Sequence, residues 1–341
     1  MKKKRITIKE VAEAANVSAM TVSNVLNKRT ESVSLKTKYK VEQEIIRLNY
    51  RRQTAARNLR AAHQFCVGMI VVDKSPKFLT DFFTTELVAG LANVLNTADY
   101  TMTIQGINGN NLENSNIMRS LEVGGLCVML SGTNKGRNKV IKQLQSLEQP
   151  LIIFQQEVNE INKNLCVIRQ NDFNGGQLIG KYLLSKDVQE FLIIKPKQVW
   201  PALDYRINGF KQEIIKLNEN VSIKIIQSKS ESFVDVQTTL NKYLKGNPLP
   251  GAIFGCNDQI AYASIILLRE KGYSIPYDIR VVGFNGFDAH RNLEPNLTTV
   301  ISNAYEMGQI AGKKMLNYFS DGFFLENDVI LPIRLSIGAT A

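Results

Sequence analysis

The 341-residue sequence predicts a small all-α helix-turn-helix domain, a short linker, and an α/β core of two doubly wound parallel-sheet subdomains. Three observations predict this. Positive charge is concentrated at one end of the chain. The first fifty residues hold short capped helical patterns joined by a tight turn. From residue 65 onward, continuous apolar runs of strand length alternate with helical patterns, the signature of parallel sheets covered on both faces. A chain of this length also exceeds one average core.

Residues 1–62 carry 15 Lys and Arg against 5 acidic residues, so they account for +10 of the net +11. The other 279 residues are almost neutral. Such an asymmetry points to a polyanion partner for the small segment. The competing reading, a solubilising basic tail, is weakened because the segment also has the apolar spacing of a folded unit.

The elements follow in order. In "TIKEVAEAANVS", Thr7 is an N-cap with Glu10 three residues later, the capping-box pattern. Val11 and Ala15 give that helix one apolar face, and Asn16 suits the left-handed conformation of a turn. Ser18 caps a second helix running to about Leu26, with Val22 and Val25 as its apolar members. A third helix starts near Ser34 and packs through Val41, Ile45 and Leu48. Together these form a helix-turn-helix. Residues 51–62, "RRQTAARNLRAA", have Ala and Arg to favour a helix but are too short to hold one alone. They predict a linker that becomes helical when docked. "FCVGMIVV", "TMTIQGI", "GGLCVML", "PLIIF", "LCVIR", "EFLIIK", "SIKIIQ", "GAIFGC" and "DIRVVGF" then read as strands with helices between them. These are too many for one sheet, so two subdomains are expected, with a ligand at the carboxyl ends of the strands between them.

Several classes are disfavoured. Cys66, Cys127, Cys166 and Cys256 make no CxxC and sit in or beside apolar runs, as buried thiols do. With only His63 and His290, a zinc site would lack ligands. No nucleophile–base set and no glycine-rich phosphate loop is visible, so neither an enzyme nor a cofactor is expected. "MKKKR" is not followed by an apolar stretch of signal-peptide length, and no run spans a membrane. A cytosolic location is expected.

"TIKEVAEAANVSAMTVSNVLN" resembles the signature of the lactose/galactose repressor family of bacterial transcription regulators. The likeness continues through "VSLKTKYKVEQEIIRLNY", "NDFNGGQLIGKYLL", "DYRINGF" and "GAIFGCNDQIAYASIILLREKGYSIPYDIRVVGFNGFDAHRNLEPNLTTV", collinear over nearly the whole chain. It implies a DNA-binding domain over 1–50, a hinge helix over 51–62, and a periplasmic-binding-protein-like core over 63–341. Within the core, one subdomain would take about 63–165 and 295–325, the other about 166–294 and 326–341. It also implies a dimer on a pseudo-palindromic operator, with a sugar-like effector in the cleft. The ending "LPIRLSIGATA" leaves no room for a tetramerisation helix.

A recognition helix presents short side chains to base edges in the major groove, while long cations grip phosphates. Ala19, Met20 and Asn24 are expected base readers; Thr7, Ser18, Thr21, Ser23 and Asn27 would position phosphates. The family more often has Arg at position 24, which suits guanine, whereas Asn suits adenine. In the hinge, Leu59 matches the leucine that wedges into the minor groove and Ala56 the small residue beside it. The family's usual Pro is replaced here by Arg52. In the cleft, Arg206 matches the family's arginine, and Asn257, Asp258 and Asn285 follow strands at their carboxyl ends. Position 285 is more often Asp in the family, so the ligand's hydroxyl pattern or charge is expected to differ. Asp81, Phe82 and Phe83 follow the first strand, where relatives contact ligand. Phe173 and Trp200 are candidate stacking platforms, with core packing as the competing reading.

The expected function is an effector-controlled transcriptional regulator, most simply a repressor of a carbohydrate-use operon. Two alternatives stand beside it: a global catabolite regulator signalled by a phosphorylated partner protein, and a cytosolic sugar-binding or sugar-converting protein with a basic appendage.

Overall fold

The computed structural model describes residues 6–26, 29, 31, 33–51, 65–73, 78–108, 112–113, 115–119, 123–158, 162–218, 220–287 and 294–341. By internal contacts the chain divides into two units, Met1–Ala62 and His63–Ala341.

In the first unit, α1 (Ile8–Ala15), α2 (Ala19–Leu26) and α3 (Leu35–Arg47) enclose a core of Val11, Ala12, Ala15, Val22, Val25 and Val41. The capping box at Thr7 forms: its hydroxyl accepts from Glu10 N, and the Glu10 carboxylate accepts from Thr7 N at 2.7 Å. Asn16 ends α1 in the left-handed region at φ 51°, where its short polar side chain is tolerated. Ser34 caps α3 by accepting from Thr37 N. The expected helix-turn-helix is therefore built as its sequence pattern reads. Ile45 and Leu48 contribute to the core but are only partly buried.

The second unit has two six-stranded sheets. One is ordered β11-β5-β4-β3-β1-β2, using β1 (Cys66–Val72), β2 (Thr101–Ile107), β3 (Gly125–Leu130), β4 (Leu151–Phe154), β5 (Leu165–Gln170) and β11 (Asp328–Leu331). The other is ordered β12-β10-β9-β8-β6-β7, using β6 (Glu190–Pro196), β7 (Ser222–Ser228), β8 (Ala252–Gly255), β9 (Arg280–Asn285), β10 (Thr298–Ile301) and β12 (Arg334–Ser336). Successive side chains on β1 go to opposite faces, and both faces are covered: Val67, Met69 and Val71 to one cluster, Ile70 and Val72 to another. That explains the unbroken apolar run of "CVGMIVV". All pairings are parallel except the edge strand β12, which runs antiparallel to β10 and departs from the expected all-parallel arrangement.

The helices are α4 (Phe82–Thr97), α5 (Asn116–Arg119), α6 (Asn134–Gln145), α7 (Asp172–Leu184), α8 (Pro201–Leu217), α9 (Phe233–Gly246), α10 (Asp258–Glu270) and α11 (Ala304–Asp321). The α7–α8 pair is the one that positions the site. Its backbones approach so closely that a Cβ on Gly176 would collide with the carbonyl of Arg206, and one on Gly209 with the carbonyl of Phe173. Close approach of this kind needs glycine on each helix.

The chain crosses between the lobes three times: after β5, after β10, and between β11 and β12. The boundaries expected near 165, 294 and 325 thus fall a few residues early. β5 stays in the first sheet beside β4, β10 joins the second beside β9, and β11 returns to the first beside β5. An apolar strand reads alike in either sheet, so only its partners decide where it belongs.

Candidate functional site: a helix face and an interlobe cleft

On α2, Val22 and Val25 point into the headpiece core and Met20 points out, 69% exposed. Asn24, one turn on from Met20, is half-buried, as are Thr21 and Ser23. Ala19 is half-buried against the core, so it offers less surface than the sequence suggested. Ser18 and Thr7 are exposed caps; the Ser18 hydroxyl accepts from Thr21 N at 3.1 Å and lies 2.9 Å from the Thr21 hydroxyl. The caps at Thr7 and Ser18 therefore stand at the N-termini of α1 and α2, where backbone N–H groups favour an anion. Asn27, Ala56 and Leu59 lie outside the described residues.

In the second unit a cavity of about 360 Å³ opens between the lobes. The ends of parallel strands and the helix starts beyond them furnish its wall. From the first lobe come Asp73 after β1, Asp81 and Phe83 at the start of α4, and Phe154 and Gln155 at the end of β4. From the second come Gln198, Trp200, Arg206, Glu231, Asn257 and Asn285.

Arg206 is the centre of a buried network. Its Nε donates to Asp172 at 2.8 Å, one terminal nitrogen to the Cys256 carbonyl at 2.8 Å, and the other to Asn285 Oδ1 at 3.1 Å. Its guanidinium lies 3.8 Å from the centre of the Phe284 ring. Asp172 also accepts from Gln155 at 2.7 Å and from Gln170 at 3.0 Å. Gln170 Oε1 accepts from Ser302 and from Asn303 N. One ion pair in the second lobe is thereby tied to two glutamines at the end of the first sheet. Asn285 (φ 117°) and Gln155 (φ 56°) hold backbone conformations rare for residues with a side chain.

The carboxylates of the cleft are perturbed. Burial pushes the Asp81 carboxyl above its ordinary range, against the hydrogen bonds it accepts from Phe83 and Thr84 as the cap of α4. Burial, and then the facing Asp81, push the Glu231 carboxyl up to about 7, against a hydrogen bond with Asn257 and the attraction of Arg206. Across the mouth, Gln198 donates to Asp73 at 2.5 Å and Gly132 N to the Val199 carbonyl at 2.8 Å. Tyr205 of α8 is hydrogen-bonded to Glu157 of the first lobe; burial, then that carboxylate, push its hydroxyl up to about 12. The lobes are therefore clasped together around the cavity.

Residues 7–53 match the family model for bacterial regulatory proteins, lacI family, and residues 181–341 match the periplasmic binding protein-like domain. The chain thus carries a lacI-family regulatory domain followed by a periplasmic binding protein-like domain. It is 29% identical over 306 residues to the HTH-type transcriptional repressor PurR of Histophilus somni, covering 89% of each chain. It is 28% identical to the ribose operon repressor of Halalkalibacterium halodurans, covering 91% of this chain and 89% of that one. Its fold superposes on the lac repressor dimer bound to operator and the anti-inducer ONPF, with a TM-score of 0.80, 22% identity and 99% of each chain covered.

Of the residues expected from sequence, the cavity gathers Asp81, Phe83, Trp200, Arg206, Asn257 and Asn285. Three others are corrected. Phe82 is 41% exposed and packs against Phe287, with ring centres 6.0 Å apart, because the first turn of α4 points it away from the cavity. Phe173 does not line the cavity; it sits half-buried on the first turn of α7, and its carbonyl packs against Gly209. Asp258 is buried beneath the strands, where its carboxylate accepts from Gly286 N at 2.6 Å and from Thr299 at 2.5 Å. It braces the β9 end and leaves the cleft to Asn257. Sequence reasoning missed Glu231, Asp73, Gln155 and Gln198. Glu231 and Asp73 each follow a strand's carboxyl end, a signal that was available. Gln155 and Gln198 carry the same mark, following the carboxyl ends of β4 and β6.

Proposed function

We propose that the chain is a sequence-specific transcriptional repressor that acts as a dimer on operator DNA in the cytoplasm and is controlled by a small polar effector, a sugar or sugar derivative, in the interlobe cleft. The observation that carries this is Arg206. A guanidinium fixed by three partners at the base of a lobe-clasped cavity offers directed donors and an apolar wall, which is what a polyhydroxylated ligand needs. A relative named as a ribose operon repressor supports an effector of that size. The unit's work is binding, with no turnover.

In the headpiece, Met20 and Asn24 read bases and Ala19 contributes a methyl at their edge. Thr7, Ser18, Thr21, Ser23 and Asn27 fix phosphates, and Leu59 with Ala56 opens the minor groove at the operator centre. Lys and Arg over 1–62 supply the sequence-independent attraction. The test is site selection from a random duplex library, followed by gel shift across salt concentrations. A palindromic preference with a steep salt slope is expected, and Asn24→Arg should turn one half-site position from adenine toward guanine. Binding without sequence preference would refute the function. An unchanged selection profile for Asn24→Arg would refute the role of that residue alone.

A further inference from the structure

Among the described residues that line the cleft, the charged ones are Asp73, Asp81, Glu231 and Arg206. The only cation of the four is already matched by Asp172, buried beside it at 2.8 Å. The Asp81 carboxylate of the first lobe and the Glu231 carboxylate of the second therefore remain, around one cavity. Neutral hydrogen bonds hold these two: backbone N–H groups and Thr84 donate to Asp81, and Asn257 is bonded to Glu231. These orient the carboxylates without cancelling their charge. Aromatic rings from Phe78, Phe83, Phe154 and Trp200 make up much of the rest of the wall. No group of three His, Cys, Asp or Glu among the described residues is close enough to hold a metal ion.

We propose that the effector carries a protonated nitrogen: an amino sugar, or a polyol amine of similar size, whose ammonium lies between the Asp81 and Glu231 carboxylates of the two lobes. The proposal rests on the cleft being the effector site. Carboxylates spread around a cavity suit a ligand whose polar groups are themselves spread over a ring, and a cation gains further from aromatic faces nearby. Burial, and then the facing Asp81 carboxylate, push the Glu231 carboxyl up to about 7, against the attraction of Arg206. A ligand cation that bridges the lobes also gives closure a reason: each lobe alone holds part of its counter-charge.

The test is a thermal-shift comparison of the full chain with matched probes: glucosamine, glucose and glucuronate, then galactosamine, galactose and galacturonate. The amine of at least one set should raise the melting temperature while its neutral and acidic partners do not. Glu231→Gln should abolish that shift, and Asp73→Asn should weaken it. A response to neutral or acidic probes alone, lost in Trp200→Ala, overturns the amine while leaving the effector cleft standing. If no probe acts, the ligand-free protein decides at pH 8. Relief of repulsion should raise the melting temperature of Glu231→Gln by about 2 °C. No rise would mean that the carboxylates are balanced within the cleft, and the proposal falls.

Discussion

Arg206 and Glu231 show how single side chains set the character of the cleft. The Arg206–Asp172 pair is 4% and 3% exposed, and breaking a buried pair leaves an uncompensated charge. Arg206→Ala should therefore cost about 3–5 kcal/mol of stability. Arg206→Lys should recover little, because one ammonium cannot reach Asp172, the Cys256 carbonyl and Asn285 in the same plane. Denaturant melts of the three proteins check this, and a near-neutral alanine variant would show that the network contributes little. Glu231 makes the opposite kind of statement. Its carboxyl binds a proton up to about 7 in the folded chain, against a usual value of 4.5. The folded state thus holds more proton between those values, and stability from this group is present below about 4.5 and lost as pH rises through 7. Replacing Glu231 with Gln should flatten that part of the melting curve against pH; an unaltered profile would mean another group is responsible. Glu231 was legible only in part. Its place after a strand end was visible, but its proximity to Asp81 depends on two lobes closing, and that relation has no local pattern in the chain.

At the level of elements, the α7–α8 pair links packing to function. Gly209 admits the carbonyl of Phe173 and Gly176 admits that of Arg206, so the helix that carries Arg206 is seated against its neighbour by backbone contact. A methyl group at Gly209 meets backbone that cannot swing aside. Gly209→Ala should destabilise by roughly 1–3 kcal/mol despite alanine's better helix propensity. It should also weaken effector binding by moving Arg206, whereas Gly246→Ala, whose Cβ would meet nothing within 4 Å, should do neither. Comparing denaturant midpoints for the two variants decides it. Elements of this kind were readable where apolar periodicity is strong. The capping box at Thr7, the buried strands and most helices follow their patterns. The resemblance implied that the chain returns between the lobes after residue 294, but β10, α11, β11 and β12 were not read as elements. There α11 buries Ala304, Met307, Gly308, Ala311, Gly312 and Met315, a helical stripe built partly of small residues with little hydrophobic contrast. Phe82 and Phe173 were over-read for a related reason: an aromatic near a strand end has two faces available, and only the helix start beyond it decides which way the ring points.

For the whole molecule, control of DNA by a cleft ligand is a statement about linkage rather than about any one contact. The clasp at the cleft mouth, from Gln198 to Asp73 and from Gly132 to Val199, adds to the three chain crossings, the Tyr205–Glu157 contact and the glutamines bonded to Asp172 that also join the lobes. A ligand that favours the clasped arrangement shifts a two-state equilibrium by its difference in affinity for the two states, and by no more. If that equilibrium also governs operator affinity, the coupling is reciprocal: the factor by which effector changes DNA binding is the factor by which DNA changes effector binding. Such couplings are typically 5–150-fold. Calorimetric titration of effector into the free protein and into the operator complex should give dissociation constants that differ by the ratio seen in gel shifts with and without effector. Weakening the clasp with Gln198→Ala should shrink both ratios together, since it changes the equilibrium that both ligands share. Equal effector affinities in the two titrations, beside a real effect of effector on DNA binding, would violate the cycle and show that the two measurements report different sites. Equal affinities with no effect of effector on DNA would mean that the cleft binds without controlling the headpiece.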